Sequence, residues 1–346
     1  MSLPDPQAAR KPRRLGLILP FVLLLLAAAA WSGFWLWARG QVQTRMDASI
    51  ADLGRAGYQI SWKQRSIGGY PFRLDVTLRE ASVREASGWG LNAPEIAGEA
   101  FLYAPKHWVI AAPQGLTFVR PKGGPVTVTG KLLRASLTNL EQQPPSFSFQ
   151  GQNLAFTPAA TAEPFPLQAA ELVEFHLRRG PDDEGGVFAR LDNGKARLTG
   201  LLGRIAGDKP VSIVWNSTLS KISSFQGADW PDAVRRWTDA GGRMTVRDAK
   251  LTAGEALIET SASTLDVGPD GRLRGVTPVT LRQAPKALGA MAQAGVLPEN
   301  TAGAASAVAA ARQTGEVTRA TINFEAGQMT LGPVALGLAP RVYTPR

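Results

Sequence analysis

Only two histidines occur in the 346 residues, and cysteine is absent. Imidazole is the common general base and metal ligand at neutral pH, so His107 and His176 are the first positions to weigh. His107 stands between Lys106 and Trp108 in YAPKHWVI, at the start of an extended run. His176 alternates with Phe175 and Leu177 in LVEFHLRR. Neither has a second ligand at metal-site spacing, and His176 reads as a polar residue on the wet face of a strand. Without cysteine there is no disulfide, no thiolate nucleophile and no cysteine-held zinc or iron–sulfur cluster. The segment GPDDEGG, Gly180 to Gly186, gathers Asp182, Asp183 and Glu184. It lacks the twelve-residue ligand register of a calcium loop and reads as a solvated hairpin tip.

The other chemical signatures are missing as well. No Gly-x-Ser-x-Gly elbow, phosphate loop or dinucleotide fingerprint occurs, and the glycines of LGRIAGDKP and GWGLNAPEIAGEA lack the strand–turn–helix context that would give them meaning. Carboxylates for glycoside cleavage need not be close in sequence, but nothing marks a pair. Of nine tryptophans, Trp89, Trp108, Trp215, Trp230 and Trp237 read as core or sheet-edge anchors rather than sugar-stacking platforms. These residues predict a protein that is not an enzyme and holds neither metal nor cofactor.

Charge and hydropathy say more. The formal net charge is +10, and Arg10, Lys11, Arg13 and Arg14 contribute four of the positive charges just before a hydrophobic block. The remaining cations are scattered, with no long basic run, RNA-binding signature or zinc finger, which argues against nucleic acid as a partner. A weakly basic surface facing lipid headgroups accounts for the balance. Leu15 to Ala38 is uncharged for 24 residues. At about 1.5 Å per residue such a helix crosses a hydrocarbon core of roughly 30 Å with some tilt. Trp31, Phe34, Trp35 and Trp37 cluster at its far end, where amphipathic rings favour the membrane interface. The basic cluster places residues 1–14 in the cytoplasm and the bulk of the chain across the membrane. A cleavable signal peptide with Ala27 to Ala30 near its cut is the competing reading, but the apolar stretch runs past that point into the aromatic belt. An uncleaved anchor over 15–38 is expected.

Beyond it, Val42, Met46, Ile50 and Leu53 lie at helical spacing before Gly54 and Gly57, predicting an amphipathic stalk over 39–57. The period then shortens to two. In SIGGYPFRLDVTLREASV, Ser66 to Val83, the residues Phe72, Leu74, Val76 and Leu78 alternate with Arg73, Asp75, Thr77 and Arg79. Further strands are expected at Glu95–Tyr103, His107–Ala111, Val126–Thr129, Phe147–Phe156, Val173–Arg178, Ala196–Leu201, Val211–Leu219, Arg243–Asp248, Ala256–Val267, Arg272–Leu281 and Ala320–Val334. The fold class is mainly β, with an elongated antiparallel sheet over 58–346 forming either an open groove or a filled sandwich. A short helix is expected in ADWPDAVRRWTDAGG. A helical hairpin is expected near the C-terminus, with arms at about Pro285 to Ala294 and Asn300 to Gln313. Pro-rich breaks around 141–167 divide the body into two lobes if they act as a linker.

The segment GYPFRLDV after a membrane anchor, followed by SGWGLNAPEIAGEAFLYAPKHWVIAAP, resembles a Gram-negative bacterial family labelled domain of unknown function 2125. The downstream LDVGPDGRLRGVTPVTL and the terminal GQMTLGPVALG fit the same family, and the likeness runs from about Trp62 to the end. That family carries no assigned activity. By overall design the chain is also similar to AsmA-like envelope proteins, a looser likeness. It implies a single-pass inner-membrane protein with its bulk in the periplasm and a β-sheet curled into an apolar groove, concerned with lipid and envelope homeostasis. On that reading Phe72, Leu74, Val76, Leu78, Ile96, Phe147, Phe149 and Phe156 line a trough that shields an acyl chain from water, and membrane lipid is the ligand. The alternative, from a different class, is a scaffold with a filled core that docks other envelope proteins through an exposed patch.

Overall fold

The computed structural model describes residues 15–196, 208–227, 229–254, 256–282, 299–311, 313–314 and 317–345. Its first element, α1 (Leu15–Arg55), runs unbroken through both the hydrophobic block and the expected stalk. Stalk and anchor are therefore one helix of about 61 Å at 1.5 Å per residue. Nothing in GQVQTRMDASI breaks it, since Gly40 is a lone glycine between strong helix formers. The chain leaves it at Gly57, whose φ of 92° is the left-handed turn that ends a helix.

All the described strands after α1 belong to one antiparallel sheet. Strands β1 (Gln59–Ser61) and β2 (Gln64–Gly68) share one side of β3 (Arg73–Arg84), whose other side pairs with β4 (Gly90–Phe101). The two halves of β4 pair with β5 (Trp108–Ala111) and β6 (Leu116–Arg120). These pair with β8 (Leu132–Thr138) and β7 (Gly124–Thr129), and both of those pair with β9 (Ser146–Pro158). From there the meander is simple: β10 (Leu167–Arg179), β11 (Gly185–Ala196), β12 (Val211–Leu219), β13 (Met244–Ala253), β14 (Ala256–Val267) and β15 (Leu273–Arg282) follow in order. Then β15 pairs with β17 (Val317–Glu325), which carries β16 (Gln313–Thr314) and β18 (Gln328–Leu331), and β19 (Val334–Leu338) forms the last edge. Among the described residues no ladder joins β19 to β1 or β2, so the sheet is open and single.

Several expectations change against this topology. The Pro-rich breaks around 141–167 are hairpin turns, and the ladder runs through β8, β9 and β10 without interruption. The run Ala320–Val334 is split by a turn at Ala326 and Gly327, both at positive φ. Of Ala196–Leu201 only Ala196 lies in a strand, as the end of β11, and the rest lies outside the described residues. The first arm of the helical hairpin also lies outside them; its second arm is α3 (Glu299–Ala311). The helix in ADWPDAVRRWTDAGG is α2 (Trp230–Asp239), capped by the Asp229 carboxylate accepting from Asp232 N at 2.9 Å, with Pro231 in its first turn.

One face of the sheet carries most of its buried apolar side chains, with Ser217, Ser263 and Thr318 among them, and it does not make one core. Among the described residues, many of the buried apolar side chains fall into six groups, where a compact domain has one contiguous cluster. Three of them lie under helices. Trp35 and Ala38 of α1 pack on Leu74 and Leu102. Val234 and Trp237 of α2 pack on Val267 and Tyr343. Ala309 of α3 packs on Val279, Ala320 and Leu331. Between those caps, Leu137, Phe147, Phe149, Leu177, Val187 and Trp215 stay half-buried on the same face.

Candidate functional site

The stretch GGYPFR is the joint between helix and sheet. Arg73 N donates to Gly69 O at 2.8 Å, closing a turn in which Gly69 has φ 96°. A Cβ there would come within 2.7 Å of Arg73 O, so the position requires glycine. The turn is tied to the aromatic end of α1. Trp31 Nε1 donates to Pro71 O and Trp35 Nε1 donates to Arg73 O, each at 2.8 Å. Ser32 Oγ lies 2.9 Å from the Tyr70 hydroxyl, the Tyr70 ring meets Trp35 edge-on at 5.6 Å, and Phe72 lies 6.2 Å from Trp31. Farther up, Arg65 pairs with Asp47 at 2.6 Å, so α1 continues alongside β2 and β3. A strand follows this closely behind the hydrophobic segment because its first residues clasp that segment.

Between α1 and the sheet lies a cavity of about 440 Å³. Val42, Met46 and Ile50 of the helix and Leu74, Leu102 and Trp108 of the sheet line it, and Arg45 stands at its margin. Phe34 and Trp37, in the aromatic belt of the hydrophobic segment, line it too. A second apolar cavity of about 320 Å³ lies at the same end of the strands, beneath α2, with Phe175, Leu177, Trp215, Ile222, Trp237 and Leu265 on its walls. Trp237 Nε1 donates to Ser220 O at 2.6 Å and Trp230 Nε1 to Val342 O at 3.0 Å, fastening α2 over it.

Strand register links the two. Directly paired residues run Trp108, Leu137, Phe147, Leu177, Val187, Ser217, Val246. The first lines one cavity and the fourth lines the other. A neighbouring row runs Val76, Gly98, Ile110, Ala135, Phe149, Phe175, Ala189, Trp215, Ala249. A third runs Leu133, Gly151, Val173, Leu191, Ile213, Leu251. None of these residues ionises. At roughly 4.8 Å per strand the first row is about 29 Å long, close to the thickness of a bilayer's hydrocarbon core. Phe175 is 36 % exposed even though its ring lies 6.1 Å from that of Phe147, so much of this large apolar side chain is open to solvent.

Asp266 lies on the wall of the second cavity, and a second carboxylate braces it from outside. Asp183, in the β10–β11 turn, accepts from the Ser223 hydroxyl at 2.7 Å, from Ser223 N at 2.9 Å and from Arg179 at 2.9 Å. The Ser223 hydroxyl first, with Ser223 N–H and the Arg179 and Lys221 charges, outweighs partial burial and holds this carboxyl below its ordinary pKa. Its backbone oxygen accepts from Ile222 N at 3.0 Å. The 3-10 turn Ile222–Ser224, which supplies Ile222 to the cavity wall, is thereby pinned to the hairpin tip.

The residues expected to line a trough divide into four sets. Phe147 and Phe149 lie in the paired rows and are half-buried. Leu74 and Val76 are buried at the helix-covered end, Leu74 on the wall of the first cavity; Leu78 pairs with Ile96, which packs with the half-buried Phe156 around Leu133 and Leu154. Phe72 stands apart: it precedes β3, is 61 % exposed and lies against Trp31 at the helix joint. Of the interface tryptophans, Trp31 and Trp37 are exposed and Trp35 is buried against the sheet. Arg10, Lys11, Arg13 and Arg14 lie outside the described residues. His107 is exposed in the turn before β5, and His176 faces away from the paired apolar rows, 5.9 Å from Phe188. Sequence reasoning missed Trp108 and Trp215 as members of the apolar rows. The signal for the helix side was present, since Val42, Met46 and Ile50 repeat at the spacing that puts them on one face.

Comparison with known families gives a match over most of the chain. The family model described as "Uncharacterized protein conserved in bacteria (DUF2125)" covers residues 35–340, and the chain belongs to that family. Comparison with the curated proteins and with the solved structures found no match. The N-terminal helix is long and apolar enough to serve as a membrane anchor.

Proposed function

We propose, from that family membership and the candidate anchor, that the protein is a single-pass inner-membrane protein whose periplasmic β body carries or guides lipid without catalysing a reaction. The observation that carries the reading is the half-exposed row from Trp108 to Leu177, which joins a cavity reached from the aromatic belt of α1 to one beneath α2. An acyl chain laid along it gains about 0.8 kcal/mol per buried methylene. The absence of ionisable side chains from the three rows suits hydrocarbon and leaves the headgroup outside. Residues 1–14 remain in the cytoplasm on this reading, held there by Arg10, Lys11, Arg13 and Arg14.

The test is site-specific photocrosslinking in bacterial membranes with the full chain. Benzoylphenylalanine replaces Phe149 or Phe175 on the apolar face, and Phe188, beside His176 on the other face, serves as the control. Covalent phospholipid adducts at 149 and 175, with none at 188, are expected by mass spectrometry. Adducts at 188 alone, or protein adducts in place of lipid at 149 and 175, would overturn the reading in favour of a scaffold.

A further inference from the structure

We infer that the membrane-proximal rim of the β body is itself a lipid-contact surface, so that the protein meets the bilayer through its sheet as well as through α1. Four large aromatics on this rim are solvent-exposed in the isolated chain: Tyr70 at 56 %, Phe72 at 61 %, Phe101 at 48 % and Tyr103 at 74 %. They form a contiguous set. Phe101 is paired with Arg73 across β3 and β4, its ring stacks on Tyr103 at 5.0 Å, and Leu102 N donates to Phe72 O at 2.9 Å. A patch of this kind is a liability in water and an asset at an interface, where amphipathic rings reside.

The occupant follows from continuity with the anchor. Trp31 lies inside the uncharged segment that begins at Leu15, about 24 Å along it at 1.5 Å per residue. That places it near the exit side of a hydrocarbon core of about 30 Å. Phe72 is held against Trp31, and Pro71 O accepts from its indole, so the Tyr70–Phe72 turn sits at the same depth. Phe101 and Tyr103 are one strand away. The cations on the rim are occupied: Arg73 pairs with Glu99 at 3.1 Å and Asp75 at 3.2 Å, Lys106 pairs with Glu141 at 3.4 Å, and Arg39 of α1 lies over the Trp35 ring at 6.0 Å. The contact is therefore aromatic and independent of anionic lipid. It fixes the tilt of the body so that Phe34 and Trp37, on the margin of the first cavity, stay at the bilayer surface.

This inference rests on the membrane-anchor reading, and the experiment separates the two. The chain has no cysteine, so Phe72→Cys, Tyr103→Cys, Leu24→Cys and Val276→Cys each carry a single nitroxide label. Leu24 is an exposed position within the hydrophobic segment and Val276 an exposed one on β15. The full-length variants are reconstituted in phosphatidylcholine vesicles, and line broadening by a water-soluble nickel chelate is compared with broadening by oxygen. Loss of nickel broadening at 72, 103 and 24, but not at 276, is the expected result. Nickel broadening at 72 and 103 equal to that at 276, with 24 protected, would leave the anchor standing and overturn the rim contact. Nickel broadening at 24 would overturn both. Tyr103 lies in an exposed turn, so its substitution keeps the comparison clear of any effect of Phe72→Cys on the joint.

Discussion

Replacing Ala189 by phenylalanine tests the groove through the sign of its effect on stability. Ala189 is half-buried on the apolar face, paired with Phe175 on one side and Trp215 on the other. If the space above it is open, a phenyl ring there covers part of both neighbours. About 100 Å² of apolar surface leaves water, which at roughly 25 cal/mol per Å² stabilises the lipid-free protein by about 2.5 kcal/mol. The same ring occupies room for about three methylenes of a bound chain, so acyl binding weakens by about 2.4 kcal/mol, or roughly fiftyfold. Urea unfolding of lipid-depleted protein gives the first quantity, and competition against a fluorescent fatty acid gives the second. The reasoning fails if Ala189→Phe lowers stability by about 1–3 kcal/mol, the usual cost of overpacking a filled core. It fails equally if stability rises and fatty-acid binding does not fall, because the open space would then not be the binding space.

The joint and the cavity brace give further expectations. Trp35→Phe removes one hydrogen bond to Arg73 O and keeps most of the packing, so a loss of about 1 kcal/mol is expected by denaturant titration. Trp35→Ala, which also empties a site buried against Leu74 and Leu102, should cost about 3–5 kcal/mol. Gly69→Ala forces a Cβ to within 2.7 Å of a carbonyl oxygen at φ 96°, and thermal unfolding should show a loss of about 2 kcal/mol or more. Because the folded state lowers the Asp183 pKa, the stabilisation from this carboxylate is complete above its unfolded value of about 3.9 and is lost as pH falls through the lower folded value. Wild-type stability should therefore drop more than that of Asp183→Asn between pH 5 and pH 2, a comparison read by fluorescence-monitored unfolding at each pH.

The sequence by itself determined whatever depends on neighbours along the chain. An uncharged run of 24 residues closing in tryptophans is a membrane-length helix wherever it occurs. Pro231 in a first turn and Gly241 and Gly242 beyond the last one bound α2, and the GPDDEGG carboxylates mark a hairpin tip. Alternation likewise marked β12 and β14 at their actual limits. Tertiary structure decided which strands share a sheet, which stripe faces inward and what remains uncovered, because those depend on partners far away in the chain. The period of two breaks at Glu80, Asn153, Asn193 and Ala262, each held at φ near +50° inside a strand. In β9 the inward residues are Phe147, Phe149 and Gly151 before Asn153, and Leu154 and Phe156 after it. Asparagine hints at such a kink; glutamate and alanine do not, since their left-handed backbone is imposed by the adjacent strands. The same distinction separates Phe72 from Leu74. Both fall on one apolar stripe of the sequence, yet Phe72 precedes the strand and lies on Trp31 of α1, and only the packing of α1 against the sheet could make that choice.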